Sequence, residues 1–303
     1  MNNPAYVEYE ALLRRLHDVT AQYGNDSAEA DSVRERMDGP ERHLNRWEMN
    51  RLNGLSADLY MVRDEEVLEQ PPAAQSQAEL RQLIQEYERW NDWDSVLALL
   101  RRRPPLVSEE AVAFTRARAY AAVGQHAAAL QFFEHAMKRW PTSADFQALH
   151  LSMLKKAGKE REAIDLGERY SSSPSTAPVL LIAAAATRFD ISGTTEVQGV
   201  LGLLTRALRL SRDSSTAAPT DYLVLAHLLR AQCLLLTGNP EEAIKSLNEA
   251  LFLRPGDAAV QEARDVVLAS RSSEIPESFR RALELARSAV GESYSGAIWG
   301  RAA

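Results

Sequence analysis

Cysteine is all but absent from this chain: Cys233 is the single one in 303 residues. No intramolecular disulfide can form, and folding does not call for an oxidising compartment. Long apolar runs are missing too, since no window approaches the roughly 20 residues of a membrane-spanning helix. Residues 1–9 include Glu8 and no basic start ahead of an apolar core, so they do not have the build of a signal peptide. The expected location is cytoplasmic, with no membrane partner. A basic excess is lacking as well. The formal net charge of -7 offers no general attraction to phosphate backbones, and no nucleic-acid partner is expected. Most of the acid excess lies in the first 75 or so residues, which marks two regions of different character. Aromatic residues make up only 7%, and glycine and proline are sparse, while alanine and leucine abound. That balance favours helices over strands joined by many turns.

The motifs of most common chemistries are also missing. There is no HExxH pair, phosphate-binding loop, dinucleotide fingerprint, CxxC pair or calcium loop. Gly199 and Gly202 imitate part of a phosphate loop but lie within a helical apolar period and are read as packing. Gly54-Leu55-Ser56 is no nucleophile elbow, because the last glycine is missing and no strand precedes it; Ser56 is read as a helix cap. Cys233 sits among Ala231, Leu234 and Leu235 with nothing near it to stabilise a thiolate, which makes it a small buried hydrophobe. His227 is expected to be a partly buried, satisfied histidine, and the six histidines show no metal-ligand spacing. No catalytic residue, cofactor or metal is assigned, and the chain is not read as an enzyme.

What the chain does contain is helical periodicity. Tyr6, Tyr9, Leu12, Leu13, Leu16 and Val19 recur at three and four residues, and Gly24 stops that helix. Asp26 with Glu29 has the spacing of a capping box for a second helix, which Gly39-Pro40 is expected to end. A third helix carries Leu44, Trp47 and Leu52, and a fourth is expected after Gly54. Residues 1–63 therefore read as an N-terminal helical unit. Residues 64–77 combine acids with Pro71 and Pro72 and read as a linker. Residues 78–290 read as a repeat array with closing helices, and residues 291–303, which lack a helical period, as a flexible tail.

Within the array the chain repeats itself. Ala117 and Tyr120 precede Gly124, and Ala129, Phe133, Ala136 and Pro141 follow it; Ala231 and Leu234 precede Gly238, and Ala243, Leu247, Ala250 and Pro255 follow at the same offsets. Small residues let two helices approach, glycine turns the chain between them, and proline ends the second helix. Gly158 stands about 34 residues after Gly124 in a weaker copy. Hairpins are also expected over residues 78–103 and 177–212, the latter with a lengthened turn at 190–195. This pattern resembles the tetratricopeptide repeat. The resemblance implies an all-α, right-handed superhelix of stacked helix-turn-helix repeats, with the first helix of each hairpin lining a concave face.

Carried onto this sequence, the partner-facing positions implied are Phe114 and Arg118, then Ser152, Lys155 and Lys156, then Leu228 and Gln232. For Phe114 and Leu228 the alternative is packing between neighbouring hairpins. The carboxylate-clamp set of some family members is not present at the corresponding positions. The function expected is a scaffold or adaptor that binds a protein or peptide partner in the groove. The alternative is a self-assembling structural or regulatory subunit, a homo-oligomer built through the N-terminal helices.

Overall fold

A computed structural model describes residues 3–64, 77–101, 109–173, 176–213, 218–270 and 275–301. The described residues form fifteen α-helices and one short 3-10 turn, with no strand among them. The linker expected at 64–77 lies almost wholly outside them. Two compact units are distinguished, one made of Met1–Val107 with Arg116–Ala128 and the other of Ser108–Thr115 with Ala129–Ala303.

The first unit begins with α1 (Pro4–Tyr23), α2 (Ala28–Glu41) and α3 (Arg46–Asp64), followed by α4 (Gln77–Arg89) and α5 (Trp93–Arg101). α1 ends where Gly24 takes φ +91, a conformation that a Cβ would disfavour. α2 starts not at an Asp26 cap but one residue later. There the Ser27 hydroxyl accepts the Ala30 N–H at 3.2 Å, a side-chain cap of the ordinary kind. Gly39-Pro40 falls in the last turn of α2, which ends one residue later at Glu41. The two helices expected around Gly54 are one. α3 runs straight through, and Ser56 is inside it, with its hydroxyl 3.3 Å from His17 Nε2. Gly54 is needed there for a tertiary reason, since a Cβ would come within 2.5 Å of the Arg101 guanidinium.

That guanidinium is pinned in a buried ionic cluster. Asp58, fully buried within the Leu52, Leu55 and Leu59 stripe of α3, accepts from Arg101 Nε at 3.0 Å and from the Tyr120 hydroxyl at 2.5 Å. Arg116 Nε stands 3.5 Å from its other oxygen. Burial first, and then the Asp58 charge, keep the Tyr120 phenol protonated far above its ordinary range. A second tie joins α3 to α5, where Arg51 grips both oxygens of Asp94 at 2.9 and 2.8 Å. Two parallel bonds to one carboxylate fix orientation as well as distance. Tyr6 of α1 accepts from Gln125 Nε2 at 2.6 Å.

α6 (Glu109–Ala122) and α7 (His126–Arg139) contribute residues to both units. The second unit continues with three hairpins: α8 (Ala144–Lys156) with α9 (Glu160–Ser172), α10 (Pro178–Ser192) with α11 (Val197–Asp213), and α12 (Thr220–Leu236) with α13 (Pro240–Leu253). The lengthened turn of the middle hairpin is the 3-10 segment Gly193–Glu196. α14 (Ala258–Ser270) and α15 (Glu277–Arg301) close the array, and α15 extends as helix through most of the stretch expected to be a tail.

One turn chemistry recurs. Gly124, Gly158 and Gly238 take φ of +84, +76 and +75, and in each case the next residue's N–H returns to a carbonyl five residues back. Those bonds, Gln125 to Tyr120, Lys159 to Leu154 and Asn239 to Leu234, measure 2.9, 2.9 and 2.8 Å. This is the glycine-terminated cap that satisfies the last carbonyls of a helix while reversing the chain. Asn239 does not cap α13 with its side chain; its amide bonds back to the Thr237 carbonyl at 3.0 Å. Ala129, Ala136, Ala231, Ala243 and Ala250 are buried, as the small residues of such crossings must be.

Candidate functional site

In the second unit the first helices α8, α10 and α12 lie side by side, each followed by its partner helix. Stacking of this kind presents a row of first helices, and the expected partner-facing residues can be placed on it. On α8, Ser152 and Lys155 are half-buried and Lys156 is exposed, with Leu149 half-exposed one turn earlier. Lys155 Nζ donates to Asp190 near the end of α10, so its charge is already matched within the unit. Lys156 makes no ion pair among the described residues and is the open cation of this helix. Crowding by the helices around its stem, and then the Lys155 charge, lower its pKa, although solvent reaches the side chain.

Leu228 and Phe114 do not present a surface. Leu228 is 0% exposed and lies with Leu225, Leu229 and Leu235 inside the packing around α12. Phe114 is 0% exposed and meets Phe146 edge-on at 5.4 Å, while Phe146 stacks on Trp140 at 5.8 Å. An aromatic cluster of this kind buries a large apolar area and fixes ring geometry. Both side chains are thus covered within the chain, which is the packing alternative expected for these two positions. Gln232, on the same stripe as Leu228, is half-buried, and its buried carbonyl oxygen has no hydrogen-bond partner among the described residues.

Arg118 belongs to the first unit. Its side chain is 12% exposed, pairs with Glu88 at 3.2 Å and sits 5.3 Å from the Trp93 ring. Those contacts make it an internal strut between α6 and the α4–α5 hairpin, held by charge and by the ring face together. Of the seven positions, Ser152, Lys155 and Lys156 are thus brought together on one accessible helix. The first unit also has a cleft of about 320 Å³ between α1, α2 and α3, floored by Leu13, Leu16, Met37 and Leu52 and rimmed by Tyr9, Asp38 and Glu41. Burial, then Glu41 and Asp38, raise the Tyr9 phenol above its usual range.

Sequence reasoning missed the Asp58 cluster, for which the signal was an acid standing at a core position between Leu55 and Leu59. It missed Asp190 for lack of any such signal. Cys233 is buried, and burial pushes its thiol up to about 12. His227 is buried more fully than expected, at 5% exposure, and its Nδ1 has no hydrogen-bond partner among the described residues. Burial, helped by Arg230 and Arg212, lowers its pKa to about 4.

A pH effect follows. An unfolded histidine titrates near 6.5, so between roughly pH 6.5 and 4 the unfolded chain holds a proton that the native chain refuses. The stabilisation is fully present above that window and is lost as pH falls through it, by about 3 kcal/mol. Denaturant midpoints at neutral pH and near pH 4 should diverge for the parent more than for His227→Gln; parallel curves would show that His227 accepts the proton while folded.

Among the described residues no group of three or more histidine, cysteine, aspartate or glutamate side chains is placed to hold a metal ion. No described helix is long and apolar enough to cross a membrane.

Residues 225–257, which span most of α12, all of α13 and the turn that follows, match the tetratricopeptide repeat family. No curated protein matches the sequence. Among solved structures the chain is similar to the APC/C hetero-tetramer Cut9-Hcn1, at 14% identity and a TM-score of 0.46, over 97% of this chain and 46% of that one. It is also similar to the P58(IPK) TPR domain, at 15% identity and a TM-score of 0.27, over 94% of this chain and 80% of that one. The chain thus spans under half the length of the first of these.

Proposed function

We propose that this all-α array of tetratricopeptide-like hairpins is a protein-protein interaction scaffold that holds a partner segment along its first helices. The observation that carries the reading is the row α8, α10, α12, open on α8 and followed at α12–α13 by a segment that matches the repeat family. Stacked hairpins make an extended binding surface from backbone geometry alone and need no reactive side chain. On α8 that surface consists of Leu149, Ser152 and Lys156, an apolar contact beside a cation, which suits a partner segment with an apolar anchor and a nearby acid. Because Lys156 is solvated, its contribution should weaken as salt shortens the screening length.

A photo-crosslinking side chain at position 152 or 156 is expected to capture one defined partner in the native host, and Lys156→Glu to reduce that capture. The same probe at position 245 on α13, and at position 47 on α3, serves as the control. Crosslinks confined to the control positions would reject the α8 surface, and crosslinks at position 47 alone would favour association through the N-terminal helices.

A further inference from the structure

The row of first helices is not equally open. On α8 the stripe around Ser152 is accessible, whereas on α12 Leu225, Leu228 and Leu229 are 4%, 0% and 0% exposed. α12 is apolar on nearly every side, as a helix is when it is covered all round. Its neighbours α11 and α13 account for part of that cover, and α15 supplies more, packing on α12 as well as on α14. The buried stripe of α15 is Phe279, Ala282, Leu283 and Ala286, which recur at i, i+3, i+4 and i+7. That is the spacing by which an amphipathic helix lays anchors into an apolar groove.

The residue after this stripe reaches α10. Arg287 Nη1 and Nη2 donate to the two oxygens of Asp190 at 3.1 and 2.5 Å, a planar fork that sets orientation as well as attraction. Lys155 of α8 donates to the same carboxylate, so Asp190 is the point where the open stretch of the row meets the covered one. The outer side of α15 is wet: Arg280, Arg281, Glu284 and Ser288 are exposed there, and even Leu285 is 51% exposed.

We propose that α12 and Asp190 form a helix-docking surface that α15 occupies in cis. The partner it fits in trans is an amphipathic helix of the same build, with apolar anchors at i, i+3, i+4 and i+7 followed directly by an arginine. This rests on the scaffold reading above and adds its regulation: a tethered helix competes with a partner that uses α12, so affinity for that partner falls by the fraction of chains that are closed. The Arg287–Asp190 pair is partly exposed and sets register more than hold, while the apolar stripe holds the helix down.

The test uses the full chain and a fluorescent peptide of residues 275–290 as the probe. Leu283→Asp weakens the cis helix and leaves α12 intact, so this variant is expected to bind the probe about tenfold or more tighter than the parent does. A probe carrying Arg287→Glu should bind the variant several-fold more weakly than the unmodified probe. Equal, weak binding by a folded variant and the parent would overturn the proposal, and so would indifference to the Arg287 change. Should Leu283→Asp fail to fold, hydrogen exchange on the parent decides. Amides of α15 that exchange much faster than those of α12 support a detachable helix, and equal protection makes α15 a fixed part of the core. Probe docking without a crosslinked partner at positions 152 and 156 would reject the scaffold and leave this surface standing; crosslinking without probe docking would do the reverse.

Discussion

Replacing Asp58 with alanine is expected to destabilise the first unit by about 3–5 kcal/mol, because it removes the carboxylate from beside buried cations. Asp58 is fully buried, and Arg116 is only 3% exposed. Taking ions out of water is costly, and the close Arg101 and Tyr120 contacts offset that cost. Removing the carboxylate therefore loses the attraction and keeps the penalty. Tyr120→Phe, which deletes a single hydroxyl donor, should cost less, about 1.5–3 kcal/mol. Chemical denaturation followed by far-ultraviolet circular dichroism measures both. An Asp58→Ala chain as stable as the parent would mean that the cluster does not hold α3 against α5 and the second half of α6.

Phe114→Ala is expected to cost about 3–5 kcal/mol, since it opens a cavity in an aromatic cluster that cannot close around it. The ring is fully buried against Phe146, which also touches Phe133 edge-on at 6.3 Å. This result separates packing from recognition. A residue that served a partner would lose binding and keep the parent's stability, whereas a core residue loses stability first. An unchanged denaturation midpoint for Phe114→Ala would return Phe114 to the binding surface.

Much of the repeat array was legible from residue types at fixed spacing. Gly124, Gly158 and Gly238 each make the same left-handed turn, and small residues stand where helices cross, because these requirements are local and only a few side chains meet them. Helix class followed from composition for the same reason. The first unit was less legible. Gly54 looked like a helix end and is instead the point where the Arg101 guanidinium passes close to α3, a neighbour far along the chain that no local pattern announces.

The candidate site divides in the same way. The repeat register located the inner positions of the first helices, but a register does not say which of them solvent reaches. Phe114 and Leu228 are covered, Arg118 and Lys155 are matched by Glu88 and Asp190, and Lys156 remains open. The sequence by itself determined an all-α chain of hairpins with glycine turns, through constraints that act within one turn or one crossing. The tertiary structure alone decided which charges are matched internally and that α15 lies on α12, because those outcomes depend on side chains brought together from distant parts of the chain.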